Sequence, residues 1–311
     1  MTLRIAHLSD LHLMGGPIAP LRLVNKRFTG WLNLKYRRHG VHRPAHVRAL
    51  AAEINRLGIE HVAITGDLSN LALEDEFDAV RRLLEQDLRL PAAQVSIVPG
   101  NHDLYTPGSA RKKRFASYFA AYASSDLPDL AGDHPAGAFP FVRLIGPVAI
   151  IGLASAVPRP PLVAAGEIGR KQLAALSRIL EHPEVRRRYP VVLLHHPPHN
   201  PPSRRRTFTN GLWDADSLRR RLSPLRHGLV LHGHLHERVE RPLSDAQPHV
   251  HVVGATSASL NDGSPAKMAG FHVYELGDDG LVGEPQVHVL DPRDGSFHVA
   301  PMSRLPTETT R

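Results

Sequence analysis

Leu3-Arg4-Ile5-Ala6-His7-Leu8-Ser9-Asp10-Leu11-His12 begins as an apolar-rich run and ends in a carboxylate and an imidazole two residues apart. The run reads as a buried strand that stops at Ser9-Asp10. The pattern repeats downstream. Residues 61–65 form a second apolar run ending at Gly66-Asp67, and residues 95–98 a third, leading into Pro99-Gly100-Asn101-His102-Asp103. Between them lie two helical periodicities. Residues 45–57 place Val47, Leu50, Ala51, Ile54 and Leu57 on one face and stop at Gly58; residues 74–84 do the same with Phe77, Val80, Leu83 and Leu84. Strand, helix, strand, helix, strand predicts an α/β start with parallel pairing. Its polar residues fall just beyond the C-terminal strand ends, where open α/β sheets place their sites.

The rest of the chain extends the pattern. A helix is expected over 111–122, then a polar segment to 140, then two strands within 141–155 joined near Gly146-Pro147. Residues 168–180 predict a helix with Leu173, Leu176 and Leu180 inward. Strands at 190–194 and 228–231 run into His195-His196-Pro197 and Gly233-His234-Leu235-His236. Further strands are expected at 250–253, 271–276 and 287–290. Motif fragments run from residue 10 to residue 236, so one domain is expected over 1–290, followed by an aperiodic tail over 291–311. Residues 14–44 stand apart as a long insertion, rich in Arg, Lys and Gly and carrying Phe28, Trp31, Leu32, Leu34 and Tyr36. Loops of that length are usually functional or disordered.

The bulk properties exclude several classes. The 311 residues are 42% hydrophobic and 22% charged, enough for an ordinary core. Cysteine is absent, which removes thiol nucleophiles, sulfur-ligated zinc and disulfide scaffolds. A net charge of +8 favours an anionic partner, and it is concentrated in Arg111-Lys112-Lys113-Arg114, Arg186-Arg187-Arg188, Arg204-Arg205-Arg206 and Arg219-Arg220-Arg221. Each cluster alone reads as a solvated face. Only 5% of residues are aromatic, without basic-aromatic interleaving, so no dedicated nucleic-acid partner is expected. The apolar stretch 144–158 is too short to span a bilayer and contains Pro147. Cleavage of even a short leader would remove Asp10. A cytoplasmic location is expected, at most peripheral to the inner membrane.

The fragments supply hard oxygen and imidazole donors. Asp10 and His12 can both face one ion, Asp67 offers a carboxylate able to bridge two, and Asn101 offers a neutral oxygen. His234 and His236 share one side of an extended segment. Such donors suit paired divalent ions, which activate water and clamp both oxygens of a phosphoryl displacement. A lone Asp-x-His or Gly-Asp is usually a turn or cap; five fragments in order, each after an apolar strand, are not.

This ordered set resembles the calcineurin-like metallophosphoesterase family: Asp-x-His, Gly-Asp, Gly-Asn-His-Asp, a later His, then Gly-His-x-His, over residues 3 to about 260. The resemblance implies an α/β fold of four layers, an αββα sandwich of two mixed β-sheets flanked by helices. It implies that Asp10, His12 and His236 hold one ion, that Asn101, His195 and His234 hold the other, and that Asp67 bridges them. His195 is chosen over His196 because the pattern places the ligand two residues before the proline. His102 would protonate the leaving oxygen or stabilise its charge, and Asp103 would orient that imidazole. The ions would be Mn, Fe, Zn or Co, with Mn or Fe preferred. The remaining histidines His7, His61, His232, His251 and His272 fall in strand patterns and read as core or sheet-face residues. For His199 a loop role is preferred over lining the cleft.

Within the family the chain is most similar to bacterial class III cyclic-nucleotide phosphodiesterases, in size and in His-His-Pro-Pro followed by Gly-His-x-His. A small anionic phosphodiester such as 3′,5′-cyclic AMP is the expected substrate. The alternative is a UDP-2,3-diacylglucosamine pyrophosphatase of lipid A synthesis, with residues 14–44 as an amphipathic cap in peripheral membrane contact. A lid that packs on the core without touching lipid is the preferred reading of that insertion. A non-catalytic binding scaffold ranks last, since no ligand is missing. Oligomeric state has no signal in the sequence.

Overall fold

The computed structural model describes residues 2–16, 26–28, 30 and 41–306. Trp31, Leu32, Leu34 and Tyr36, on which much of the amphipathic-cap reading rests, lie outside them. Two mixed sheets face each other. In the first, β1 (Leu3–Leu8), β2 (His61–Ile64) and β3 (Val95–Ile97) are parallel, joined through α1 (Pro44–Arg56) and α2 (Glu74–Arg82). On the other side of β1 the sheet continues antiparallel through β12 (Gly270–Gly277), β14 (Gln286–Leu290) and β15 (Phe297–Ala300). In the second, β7 (Val148–Gly152), β8 (Tyr189–Leu193), β9 (Gly228–His232) and β11 (Gln247–Gly254) run parallel, edged by antiparallel β6 (Phe141–Ile145) and β10 (Val239–Ser244). Two short pieces complete the strands: β4 (Gly132–His134) pairs with β5 (Gly137–Phe139), and β13 (Gly280–Leu281) with β12.

Period-two alternation explains the layering. Val148, Ile150, Val191, Leu193, Leu229 and Leu231 point from the second sheet into a core shared with Ile5 and Tyr274, which are cross-strand neighbours in the first. Their neighbours Ala149, Ile151, Val192 and Val230 point the other way. There they meet Leu173, Leu176 and Ile179 of the helix Arg170–Glu181 and Leu218 and Leu222 of the helix Ala215–Leu222. Strands buried on both faces need apolar residues at every position, which is why they read as continuous runs.

Three expectations change. The helix expected over 111–122 is broken into Pro107–Arg111 and Arg114–Phe119, because Lys113 sits at φ 46°, which a continuing helix cannot accommodate. The tail expected from Asp291 instead supplies β15, where Phe297 packs on Phe271, and beyond the strand Arg304 pairs with Glu240. Strand β10, helix Ala215–Leu222 and helix Arg204–Asn210 were not expected; Pro242 and the arginine triplets masked their periodicity.

Phe77 is fully buried, with the rings of Phe115 and Phe119 edge-on to it at 6.5 and 5.3 Å. Phe77→Ala should cost about 3–5 kcal/mol of stability, read as a lower denaturation midpoint at unchanged slope.

Candidate metal centre

The loops following β1, β2, β3, β8 and β9 meet at one edge of the two sheets. Within the first sheet, Asp10 N–H donates to the Gly66 carbonyl at 2.9 Å and His12 N–H to the Asp67 carbonyl at 3.0 Å, so the first two loops run side by side. The second sheet joins through His195, whose Nδ1–H donates to the Thr65 carbonyl at 2.7 Å, and through His234, whose backbone N–H donates to Asp10 Oδ2 at 3.1 Å.

Close approach sets the glycines of two motifs. A Cβ on Gly100 would lie 2.2 Å from the Asp67 amide nitrogen, and one on Gly233 would lie 1.8 Å from Ser9 Oγ. Nine described non-glycine residues have positive φ, and five of them are Asp10, His12, Asp67, His234 and His236. Left-handed backbone costs side-chain-bearing residues energy and concentrates at functional sites.

Asp10, His12 and His236 form one group of donors. His236 Nε2 lies 3.1 Å from Asp10 Oδ1 and 3.4 Å from His12 Nε2. A second group gathers at Asn101 Oδ1, which lies 3.1 Å from His195 Nε2 and 3.1 Å from His234 Nδ1. Asp67 stands between the groups, its Oδ2 3.3 Å from His195 Nε2 and 4.0 Å from His12 Nε2. All seven residues named for metal binding are therefore brought together.

The donor set fits cations on chemical grounds. His195 gives its Nδ1 proton to Thr65, and His234 gives its Nε2 proton to the Asn210 carbonyl at 2.9 Å. The remaining nitrogen of each turns a lone pair toward the Asn101 oxygen, and that of His195 also toward Asp67. Acceptors converging on acceptors in a buried site call for a positive charge among them. Without an ion, a proton on His195 takes the place of the cation. Burial works to lower the His195 pKa, yet the Asp67 carboxylate beside it and then Asp10 raise it to about 9. Burial likewise works against ionised Asp67, but His195, His102 and His12 hold it well below the usual carboxylate range. Burial, then His195, lowers His234 to about 4, keeping it a neutral donor.

His196 lies within ligand distance of His195 and His234, but both its nitrogens are engaged. Nε2–H donates to the Ala164 carbonyl at 2.8 Å, and Nδ1 accepts from the Ser155 hydroxyl at 2.9 Å. Other histidines are likewise tied into the sheets. His7 bonds the Thr65 hydroxyl, His61 bonds Ser96, His232 bonds the Gly233 carbonyl, His251 bonds Glu240 and His272 bonds Tyr274. His199 lines the cleft after all, with Nε2–H donating to the Leu243 carbonyl.

The expected pairing of Asp103 with the His102 ring is not present. Asp103 is fully buried and accepts from the amides of Leu68, Ser69 and Gly100 at 2.9–3.2 Å and from the Ser69 hydroxyl at 3.0 Å. Its carboxylate is consumed in locking one loop to the next. The His102 ring is held instead by the Asn70 carbonyl, which accepts from Nδ1 at 2.5 Å, and is stacked on Tyr105 at 5.5 Å. Asn70 in turn belongs to a braced loop. Glu76 Oε2 accepts from the Leu71 and Leu73 amides at 2.9 and 3.0 Å, and Arg27 donates to the carbonyls of Leu71 and Ala72. Thus a residue of the 14–44 insertion reaches the loop that orients His102.

A cavity of about 590 Å³ opens over the donors, lined among others by His102, Arg206, Leu235, Val239 and Arg241. His42 also reaches the site, its ring 4.5 Å from that of His12 and its Nδ1 2.8 Å from Ser259 Oγ. Sequence reasoning missed His42, hidden in the insertion, and Ser257, whose hydroxyl donates to the Asp10 carbonyl at 2.6 Å. Arg206 had been visible only as part of a basic triplet.

A family model described as calcineurin-like phosphoesterase matches residues 3–238. No curated protein matches the chain. Among solved structures the chain is similar to a dimetal phosphatase from Danio rerio, at 13% identity and TM-score 0.58, covering 92% of this chain and 94% of that one. It is also similar to a purple acid phosphatase from yellow lupin seeds, at 12% identity and TM-score 0.52, covering 98% of this chain and 54% of the other. At such identities the likeness is one of fold.

Two outcomes follow from this geometry. Asp67→Ala should abolish stoichiometric binding of divalent metal and reduce hydrolysis by roughly 100-fold or more; elemental analysis of purified protein checks the first. Burial raises Glu76 to about 7 from an ordinary 4.5, against opposing backbone bonds from Leu73, Leu71 and Asn70 and the Arg27 charge. The folded state thus holds a proton that the unfolded chain releases between those values. Wild type should lose stability relative to Glu76→Gln as pH climbs through that window, as denaturant titrations at several pH values would show.

Proposed function

The chain belongs to the calcineurin-like phosphoesterase family and is a metal-dependent phosphoric ester hydrolase with a dinuclear divalent metal centre, and we propose that its substrates are phosphodiesters of the cyclic-nucleotide type, taken with broad specificity. In this proposal Asp10, His12 and His236 hold one ion, Asn101, His195 and His234 the other, and Asp67 lies between them, with Mn or Fe preferred. When bound, the two ions acidify water and neutralise phosphoryl oxygens. The chain's own groups do the rest.

The observation that carries the diesterase reading is the placement of His102. Its ring lies 5.1 Å from that of His12, at the cavity wall, with Nδ1–H committed to Asn70. Nε2 is then the nitrogen that hands a proton to a departing alkoxide. An alkoxide is a poor leaving group, and positioned proton donation is worth most for such leaving groups. Arg206 and Arg241 line the same cavity and would attract and orient an anionic diester. Its volume suits a molecule of nucleotide size extending on both sides of phosphorus.

A lipid-linked pyrophosphate is the second reading. It is favoured by the apolar part of the wall, where Leu235 is 44% exposed beside Pro197, Pro201, Pro202 and Val239. A metal-reconstituted panel of cyclic nucleotides, aryl diesters, monoesters and UDP-diacylglucosamine separates the two: strong preference for the lipid displaces the first reading, and activity on monoesters alone rejects both.

His102→Ala should lower kcat for cyclic AMP by roughly 10²–10⁴-fold, and much less for a bis-aryl diester whose phenolate leaves unaided. Metal content should not change. Equal losses on both substrates would remove His102 from proton donation.

A further inference from the structure

The net positive charge of the chain resides in one stretch of it. Residues 170–226 contain thirteen Lys and Arg and four Asp and Glu, whereas the whole chain carries net +8. The stretch forms the helices outside the second sheet and ends its central portion in helix Arg204–Asn210 at the rim of the metal cleft. That short helix is tied to the centre, since the Asn210 carbonyl holds His234.

Beside it lies an unusual group of apolar side chains. Leu162 is 89% exposed, at the tip of a turn closed by Val163 N–H donating to Pro160, with φ 68°. Phe208 is 58% exposed and Trp213 41%, their rings stacked 5.6 Å apart. The turn and the helix are joined, because Ala164 N–H donates to the Thr209 carbonyl and Trp213 N–H to that of Gly166. Arg204 and Arg205 are exposed on the same helix and pair with no carboxylate among the described residues.

We propose that this edge, Leu162, Phe208 and Trp213 framed by Arg204 and Arg205, docks on the surface of an anionic lipid bilayer and turns the metal cleft toward it. The occupant follows from charge and shape. Arginines at a surface gain energy from anionic headgroups, and protruding apolar side chains gain it by entering the acyl boundary. A polynucleotide would use the charge but has no use for an exposed leucine at a turn tip. The Trp213 ring, moreover, is already engaged by Phe208 and by Arg159, 3.4 Å over its centroid, rather than open for base stacking. The inference holds for either substrate class, and it differs from membrane contact through residues 14–44.

The chain has two tryptophans, Trp31 in the insertion and Trp213 here, so each can be made the only reporter. With Trp31→Phe protein, vesicles of phosphatidylglycerol in phosphatidylcholine should shift Trp213 emission to the blue and co-sediment the protein; pure phosphatidylcholine should do neither. The double variant Leu162→Ser, Phe208→Ser should lose at least about tenfold in vesicle partition, while its thermal melting and hydrolysis of a soluble aryl diester stay at the parent level. Vesicle binding unaltered in the double variant, a shift seen only with Trp31 as reporter in Trp213→Phe protein, or binding to single-stranded RNA without binding to vesicles would each overturn the proposal. Partition is read without turnover, so a failure of the diesterase reading would not register in it.

Discussion

Asp67 ties three loops together through its two carboxylate oxygens and its backbone carbonyl. One accepts the His102 amide at 2.8 Å, and the other faces His195 across the gap between the sheets, while the residue's backbone carbonyl receives His12. A buried carboxylate placed among imidazoles, with no lysine or arginine against it among the described residues, gains its compensation from those imidazoles and from the cations the site is shaped to hold. The two sheets therefore meet at a place that packing alone would not favour. Polar donors need fixed geometry, so the surrounding core must be rigid, and the layers of valine, isoleucine and leucine between the sheets provide that rigidity.

The same demand explains the backbone strain. Left-handed residues at Asp10, His12, Asp67, His234 and His236 aim side chains that regular strands would send to alternate faces. Hydrogen bonds made outside the ladders hold these loops: Gly66 and Asp67 carbonyls for the first loop, Asp10 for His234, and Ser257 for the Asp10 carbonyl. Asp103 belongs to this economy. By accepting four hydrogen bonds it holds the loop after β2 to the loop after β3, and burial together with the nearby Asp67 raises its pKa to about 7.

What was legible in the sequence was whatever expresses itself in side-chain type and spacing. The apolar runs of β1 to β3 and the glycines before Asp67, Asn101 and His234 pointed to the loops and their donors, because close approach demands glycine and chelation demands Asp, Asn or His. What escaped depends on backbone atoms or on long-range placement. The Asn70 carbonyl that holds His102 could be any residue's carbonyl. Asp103 next to His102 looked like its partner, but adjacent side chains in a tight turn point apart. Strand β15 has four residues and no clear period, and it exists because β14 offers an open edge.

Such a centre is chemically general, since any phosphoester can present oxygens to it. Discrimination must then arise where the donors stop: the wall with Arg206, Arg241 and Leu235, the insertion that reaches the site through Arg27 and His42, and the loop carrying Asn70. These parts are joined. Arg27 binds the carbonyls of Leu71 and Ala72, Lys26 lies 4.5 Å from the Tyr105 ring, and Tyr105 stacks on His102. Anything that moves Lys26 or Arg27 is thereby coupled through packed side chains to His102, the imidazole proposed for proton transfer, so in that proposal substrate fit and catalysis share a mechanical connection rather than occupying separate regions.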